Sequence, residues 1–246
     1  MTQTIVITGA AGAGASGIGG ALTEYFHDKG FQLIGFDQAA PVGRIAEIFA
    51  QDQHRYFQCD LTQAHEIQAI AQDLQAQDTI IHHMILNAGG GVPAEFSTDF
   101  IDVETWDMSI QRNLSASYYA IISLLPLMRT AQADKSILLM SSINAIQGYG
   151  LVGYSAAKAG LIGLMHALTA PLGAEAIRIN ALLPGTVKPA LREDKDYQKL
   201  SAESALKKMA HPQDVAEAAA HILAMPHMTG AQIVLDGGQS LYRRQK

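Results

Sequence analysis

Charge is scarce in this chain and cysteine nearly absent. Only 16% of the 246 residues are charged, and 17 Lys and Arg against 23 Asp and Glu leave a net charge of −6. With a pI near 5.8 there is no electrostatic footprint for a nucleic acid. The one cysteine, Cys59, cannot form an internal disulfide and fits a reducing, cytoplasmic compartment. The opening MTQTIVITGA has no basic region ahead of its apolar run, so no signal peptide is read there. Residues 136–157 carry no charge over a membrane-spanning length, but interior Ser, Asn, Gln and Gly make them a loop, and no membrane partner is expected. His82 and His83 are adjacent on a strand and face opposite ways, with no Cys or carboxylate at ligand spacing. They are read as structural and no metal site is expected. What is plentiful is apolar side chain, 48% of the chain, ample for one sizeable core.

That apolar content is arranged in alternation. Residues 4–8 (TIVIT) form a β-branched run, followed by the glycine-rich GAAGAGASGIGG, the helical pattern ALTEYFHDKG and a second run, 31–36 (FQLIGF), ending on Asp37. Strand, glycine turn, helix, strand and acid is the context a dinucleotide fingerprint needs. Glycines let the backbone approach a pyrophosphate, the helix N-terminus offers N–H groups, and the acid accepts from ribose hydroxyls. Further strands are expected at 55–59, 79–86, 136–141, 177–183 and 232–235. Helices are expected at 63–75, 154–170 and, as one long segment, 104–130. Strands joined by helices force a parallel sheet, so the class is α/β, a single domain of mainly seven parallel strands with helices on both faces. Ligands bind such sheets beyond the carboxyl ends of the strands. Gly9 to Gly19, Asp37, Asp60, Asn87, Ser142 and Pro184-Gly185 all follow strand ends, and so converge on one rim.

The stretch 142–158 (SINAIQGYGLVGYSAAK) carries the chemistry. Tyr154 and Lys158 are four apart at the start of a helix, so both polar tips share a face. A phenol near pKa 10 is a poor base at neutral pH, and a neighbouring ammonium favours its phenolate. Ser142 is placed to hold a substrate oxygen that gains or loses that proton. Alone the spacing is weak, since chance gives roughly 0.3 occurrences in a chain of this composition. The convergence on one rim is what raises it above chance.

With these elements in place the sequence resembles the short-chain dehydrogenase/reductase family along essentially its whole length. The resemblance rests on Thr8-Gly9 with Gly17-Ile18-Gly19, Asp60-Leu61, Asn87-Ala88-Gly89, Asn113, Ser142, Tyr154 with Lys158, Pro184-Gly185 and Asp236-Gly237-Gly238. It implies a Rossmann-type doubly wound fold and a catalytic set of Asn113, Ser142, Tyr154 and Lys158. Tyr154 would be the general acid/base. Lys158 would lower its pKa and hold the nicotinamide ribose, and Asn113 would help hold a water, with an internally capped helix kink as the alternative for that residue. The implied cofactor residues are Gly9, Ser16, Gly17, Ile18, Gly19, Asp37, Asp60, Leu61, Asn87, Ala88, Gly89, Tyr154, Lys158, Pro184, Gly185 and Val187. A homotetramer is the implied assembly. Four features depart from the family pattern: seven residues between Gly9 and Gly17, a Ser142–Tyr154 spacing one residue short, Pro189 where a Thr is usual, and a shortened link before the last strand.

The cofactor is read as NAD rather than NADP, because a 2′-phosphate beside Asp37 would meet like charge and no basic residue adjoins Gly17 or Asp37. The substrate pocket is expected from Gly91, Ile143, Asn144, Gln147 and Tyr149, mixed in polarity, with a substrate loop over about 186–210 whose charged part is either a lid or an ordinary solvated loop. The four extra residues of the glycine turn are expected to bulge outward from Ala10 to Ala13, either as a flap or as a tolerated insertion. The reading is oxidation of a secondary alcohol or reduction of a ketone. The alternatives are an NAD-binding regulatory protein without turnover and a 3-oxoacyl-carrier-type ketoreductase.

Overall fold

In the structure, a computed structural model, residues 2–11, 17–96, 100–148, 150–188 and 201–242 are described. Seven parallel strands form one sheet in the order β3-β2-β1-β4-β5-β6-β7. They are β1 (Thr4–Thr8), β2 (Gln32–Asp37), β3 (Arg55–Gln58), β4 (His83–Leu86), β5 (Lys135–Met140), β6 (Ile177–Pro184) and β7 (Gln232–Leu235). The helices are α1 (Ile18–Asp28), α2 (Gly43–Phe49), α3 (Ala64–Ala76), α4 (Val103–Ile110), α5 (Ala116–Arg129), α6 (Val152–Ala174) and α7 (Pro212–Leu223).

The two-residue period of the strands sorts their side chains onto two faces. Val6, Met84 and Ile137 point into a core with Leu74 of α3, Leu124 of α5 and Leu161 of α6. Ile5, Ile7, Ile85 and Leu138 point the other way, against Leu22 and Phe26 of α1 and Val215 and Ile222 of α7. Both faces are covered, which is why the strands read as continuous apolar runs. The chain winds from β1 outward through β2 and β3, then returns to place β4 on the other side of β1. This reversal opens a crevice at the carboxyl ends of β1 and β4.

Several expectations change. The segment expected as one helix over 104–130 is broken: α4 ends at Ile110, a π turn spans Gln111–Ser115, and α5 follows. Strand β4 begins at His83 rather than at 79, because Thr79 N still donates to Leu74 O at the end of α3 and Ile81 N donates to Leu127 O. Helix α6 continues to Ala174 with Pro171 inside it. Helices α2 and α7 were not read from the sequence. For α7 the signal was there, since His211 and Asp214 form a capping box around Pro212.

Candidate active site

The crevice is a groove of about 490 Å³. Its floor is set at Gly9, which turns off β1 in a left-handed conformation (φ 69°) while its N–H donates to Phe36 O at 2.7 Å. A Cβ on Gly19 would stand 1.7 Å from Gly9 O, so α1 starts hard against this turn and only glycine fits. The N-cap of α1, Gly17, contributes no side-chain cap, which leaves the first N–H groups of the helix to the groove. Ala10 and Ala11 do not bulge outward as expected. They are 0% and 4% exposed, Thr23 Oγ1 donates to Ala10 O, and Ala11 N donates to Asp37 Oδ2 at 3.0 Å. Ala10 and Ala11 therefore belong to the core, and residues 12–16, with the rest of the expected bulge and Ser16 among them, lie outside the described residues.

Asp37 at the end of β2 also accepts from Ala39 N at 3.1 Å. Asp60 is partly buried, which alone would raise its pKa. The N–H and hydroxyl of Thr62, the Gln38 amide and the Arg112 guanidinium together hold it below the usual carboxylate range. Asn87 braces β4 to β1 through Thr8 O at 3.2 Å, and Ala88 N donates to Thr8 Oγ1 at 3.0 Å.

At the other end, β5 delivers two serines with different duties. Ser141 is buried and its hydroxyl donates to Lys158 O at 2.9 Å, tying the strand to α6. Ser142 lines the groove, accepts from Asn144 N at 3.2 Å and hydrogen-bonds the Tyr154 phenol. Lys158 is buried, its Nζ donates to Met140 O at 2.8 Å, and it lies 5.5 Å from the Tyr154 ring centroid. Two of its three N–H donors remain for the groove. Burial pushes Lys158 down to about 8. The phenol is not lowered as expected: burial raises its pKa, the Ser142 hydrogen bond partly offsets this, and the carboxylate of Glu95 raises it further.

Asn113 is fully buried in the π turn. Its Oδ1 accepts from Gly90 N at 2.8 Å, and its Nδ2 donates to Gly90 O and Ser109 O, each at 3.0 Å. Both amide N–H groups are thus engaged with backbone. The amide holds the Gly89–Gly91 turn against Lys158, whose Nζ would be 3.4 Å from a Cβ on Gly89.

Residues 12–240 match the family described as enoyl-(acyl carrier protein) reductase. The chain belongs to the short-chain dehydrogenase/reductase family. It is 27% identical to (+)-borneol dehydrogenase 1 of Salvia officinalis over 97% of this chain and 94% of that one. It is 28% identical to human 3-oxoacyl-[acyl-carrier-protein] reductase, covering 93% and 95% of the two chains. A short-chain dehydrogenase/reductase from Burkholderia thailandensis, described as an oxidoreductase, superposes with a TM-score of 0.86 at 29% identity over 99% of this chain and 95% of that one.

The groove is lined by Gly9, Gly17, Ile18, Gly19, Asp37, Asp60, Leu61, Asn87, Ala88, Gly89, Ser142, Tyr154, Lys158, Pro184, Gly185 and Val187, each a residue the family resemblance singles out. Gln38, the neighbour of Asp37, lines it too, as do Thr62 and Arg112, which sequence reasoning passed over. The residues expected around the substrate are placed differently. Gly91 packs against Phe96, Ile143 is buried, Asn144 Nδ2 donates to Ser155 Oγ, and Gln147 Nε2 donates to Ser240 O. None of these four lines the groove, and Tyr149 lies outside the described residues. Pro189 and the charged part of the 186–210 loop also lie outside them. The base of that loop is closed by a bridge between Val187 and Ala210. Gln239, missed as well, accepts from Thr186 N at 3.0 Å and holds the exit of β6. Among the described residues no three His, Cys, Asp or Glu gather as a metal site, and no helix is long and apolar enough to cross a membrane.

Proposed function

We propose that this protein is an NAD(H)-dependent oxidoreductase interconverting a secondary alcohol and a ketone. The observation that carries the reading is one groove with Asp37 and a glycine-walled helix N-terminus at one end and Ser142, Tyr154 and Lys158 at the other. A dinucleotide fits the residues present. Gly19 leaves no room for a side chain where the turn meets the helix, and the uncapped N–H groups of α1 suit a pyrophosphate. Asp37 would hold the adenosine ribose, Asp60 and Leu61 the base, and Lys158 the nicotinamide ribose. Asn87 to Gly89, Pro184, Gly185 and Val187 would form the remaining walls.

The bound nicotinamide supplies or accepts the hydride; the side chains manage the proton. Ser142 orients the substrate oxygen toward Tyr154. In ketone reduction the raised phenol stays protonated and donates to that oxygen. In alcohol oxidation it must lose its proton, and Lys158, 5.5 Å from the ring, stabilises the phenolate as it forms. The choice of NAD over NADP follows from Asp37, whose charge opposes a 2′-phosphate. Arg112, the guanidinium in the groove, acts on Asp60. A panel of secondary alcohols and ketones, followed by NADH absorbance with NAD and NADP side by side, tests the reading. Turnover with no member of the panel, despite NADH binding, would favour the regulatory alternative.

One observation favours a second reading. Lys188, Lys207, Lys208 and His211, with Asp214 among them, line a further cavity at the closing end of the 186–210 loop, a mainly basic surface for a carrier-linked substrate of the kind the 3-oxoacyl-[acyl-carrier-protein] reductases are named for. Faster turnover of a carrier-linked 3-oxoacyl substrate than of its free analogue would select it. The assembly expected is a homotetramer. Tyr118 and Ile122, one turn apart on α5 and each 42% exposed, together with Trp106 on α4, give an apolar surface for a second copy. Sedimentation at micromolar concentration reads the assembly directly.

A further inference from the structure

Helix α6 carries both Tyr154 and Lys158, yet it begins without a cap of its own. Its N-cap, Leu151, is left-handed (φ 53°) and offers no side-chain acceptor to the first turn. Four N–H groups at a helix start need partners from elsewhere. One partner comes from 59 residues away. Glu95, in the 3-10 turn Pro93–Phe96, is 3% exposed, and its Oε1 accepts from Tyr154 N at 2.9 Å. Its Oε2 accepts from Ser109 Oγ at 3.2 Å and from Val92 N at 3.3 Å. Every partner donates, which suits an acceptor-only carboxylate.

The surroundings are cut to admit this group. A Cβ on Gly153 would stand 2.9 Å from Glu95 Oε1 and 2.8 Å from Ser109 Cβ, so glycine before Tyr154 is what lets the carboxylate reach the helix. Ser109 is fully buried on α4, and its carbonyl is held by Asn113. Glu95 thus joins the 3-10 turn, α4 and α6 at the backbone of the residue bearing the phenol.

We propose that Glu95 is a positioning residue for the reaction, a carboxylate from a distant loop that caps the helix of Tyr154 and fixes the phenol in the groove; this rests on the functional reading above. It acts in two ways. Holding the Tyr154 N–H sets where the ring emerges, and misplacement of about 1 Å costs on the order of 10²-fold in rate. Its negative charge disfavours the phenolate. Among the described residues the other groups facing the phenol are Ser142 from the end of β5 and Lys158 from α6, with Arg112 further along the groove.

Three proteins test this: the wild type, Glu95→Gln and Glu95→Asp, each paired with its Tyr154→Phe counterpart. The difference in near-ultraviolet absorbance within each pair reports the Tyr154 phenolate without needing turnover. In Glu95→Gln the phenol is expected to titrate lower, because a negative charge that opposes its ionisation is gone. The acid limb of alcohol oxidation should move by the same amount. Turnover should fall at least about tenfold in both variants, with the KM for NAD nearly unchanged. Glu95→Asp keeps the charge but not the reach, so it should lose rate with little movement of the profile. An unshifted phenol in Glu95→Gln overturns the proposal, as does a loss confined to melting temperature with normal kcat. A shifted phenol in a protein that turns over no alcohol or ketone leaves the placement of Glu95 standing and removes the oxidoreductase reading instead.

Discussion

Adding one methyl group at Gly19 tests the geometry on which the groove depends. A Cβ there would lie 1.7 Å from Gly9 O, 2.8 Å from Gly9 C and 3.1 Å from Asn87 Nδ2. Unbonded heavy atoms settle near about 3.5 Å, so the turn and the helix must separate by roughly 1.5–2 Å. Gly9 cannot yield easily. A Cβ of its own would already be 3.0 Å from Ala88 Cα, and its N–H is held to Phe36 O at 2.7 Å. The obstacle is backbone, so rotamer changes give no relief. Overpacking of this kind costs about 1–3 kcal/mol and sometimes more, and the upper end applies here. For a domain of this size about 3 kcal/mol lowers the melting temperature by roughly 6–12 °C. Because the displaced atoms are the groove floor, NADH affinity should fall as well, by about 10²-fold. Gly173→Ala, near the end of α6 with nothing within 4 Å of its Cβ position, is the matched control. It should be neutral or stabilising by up to about 1 kcal/mol. Scanning calorimetry and NADH fluorescence on the two variants make the comparison. A Gly19→Ala protein that melts and binds NADH like the wild type would refute the close approach of turn and helix.

Asp37→Ala should relax the cofactor preference toward NADP, read as the ratio of kcat/KM for the two cofactors, because the repulsion goes and no new cation appears; a wild type already preferring NADPH would contradict the charge argument. His83 gives a pH signature. Burial holds its folded pKa down to about 4 against an ordinary value of 6.5, and among the described residues its Nδ1 has no partner. The unfolded chain therefore takes up a proton that the folded chain refuses. Stability is fully present above about 6.5 and is lost as pH falls toward 4, by up to about 3 kcal/mol. Urea unfolding across that range should show the slope, and His83→Leu should lack that part of it.

Local pattern was enough for β1, α1 and β2, since an all-buried strand, a glycine turn and an amphipathic helix each write their own periodicity. It was enough also for the rim, because residues ending parallel strands share an edge whatever fills the space between. It failed where a contact from far along the chain decides the outcome. The break in the 104–130 segment follows from Asn113 reaching back to Gly90 and Ser109, a tertiary demand invisible in a helical pattern. Ala10 and Ala11 read as part of a surface insertion, yet Asp37 and the core beneath β2 draw them inward. Glu95 stands in a short, mainly apolar stretch (GVPAEF) with no motif, and its importance comes from Tyr154 N, 59 residues on. Asn144 and Gln147 lie near Ser142 in sequence but turn to Ser155 and Ser240.

The central claim is that Tyr154 moves the proton while a bound nicotinamide moves the hydride. It is tested most directly by single-turnover NADH formation with an accepted alcohol, comparing wild type and Tyr154→Phe at saturating NAD. The substitution removes one hydroxyl from a ring already packed beside Lys158, so NAD binding should be retained. The rate of NADH appearance should fall by about 10²–10⁴-fold, the range of general acid–base catalysis. A variant that binds NAD normally and forms NADH at the wild-type rate would contradict the account.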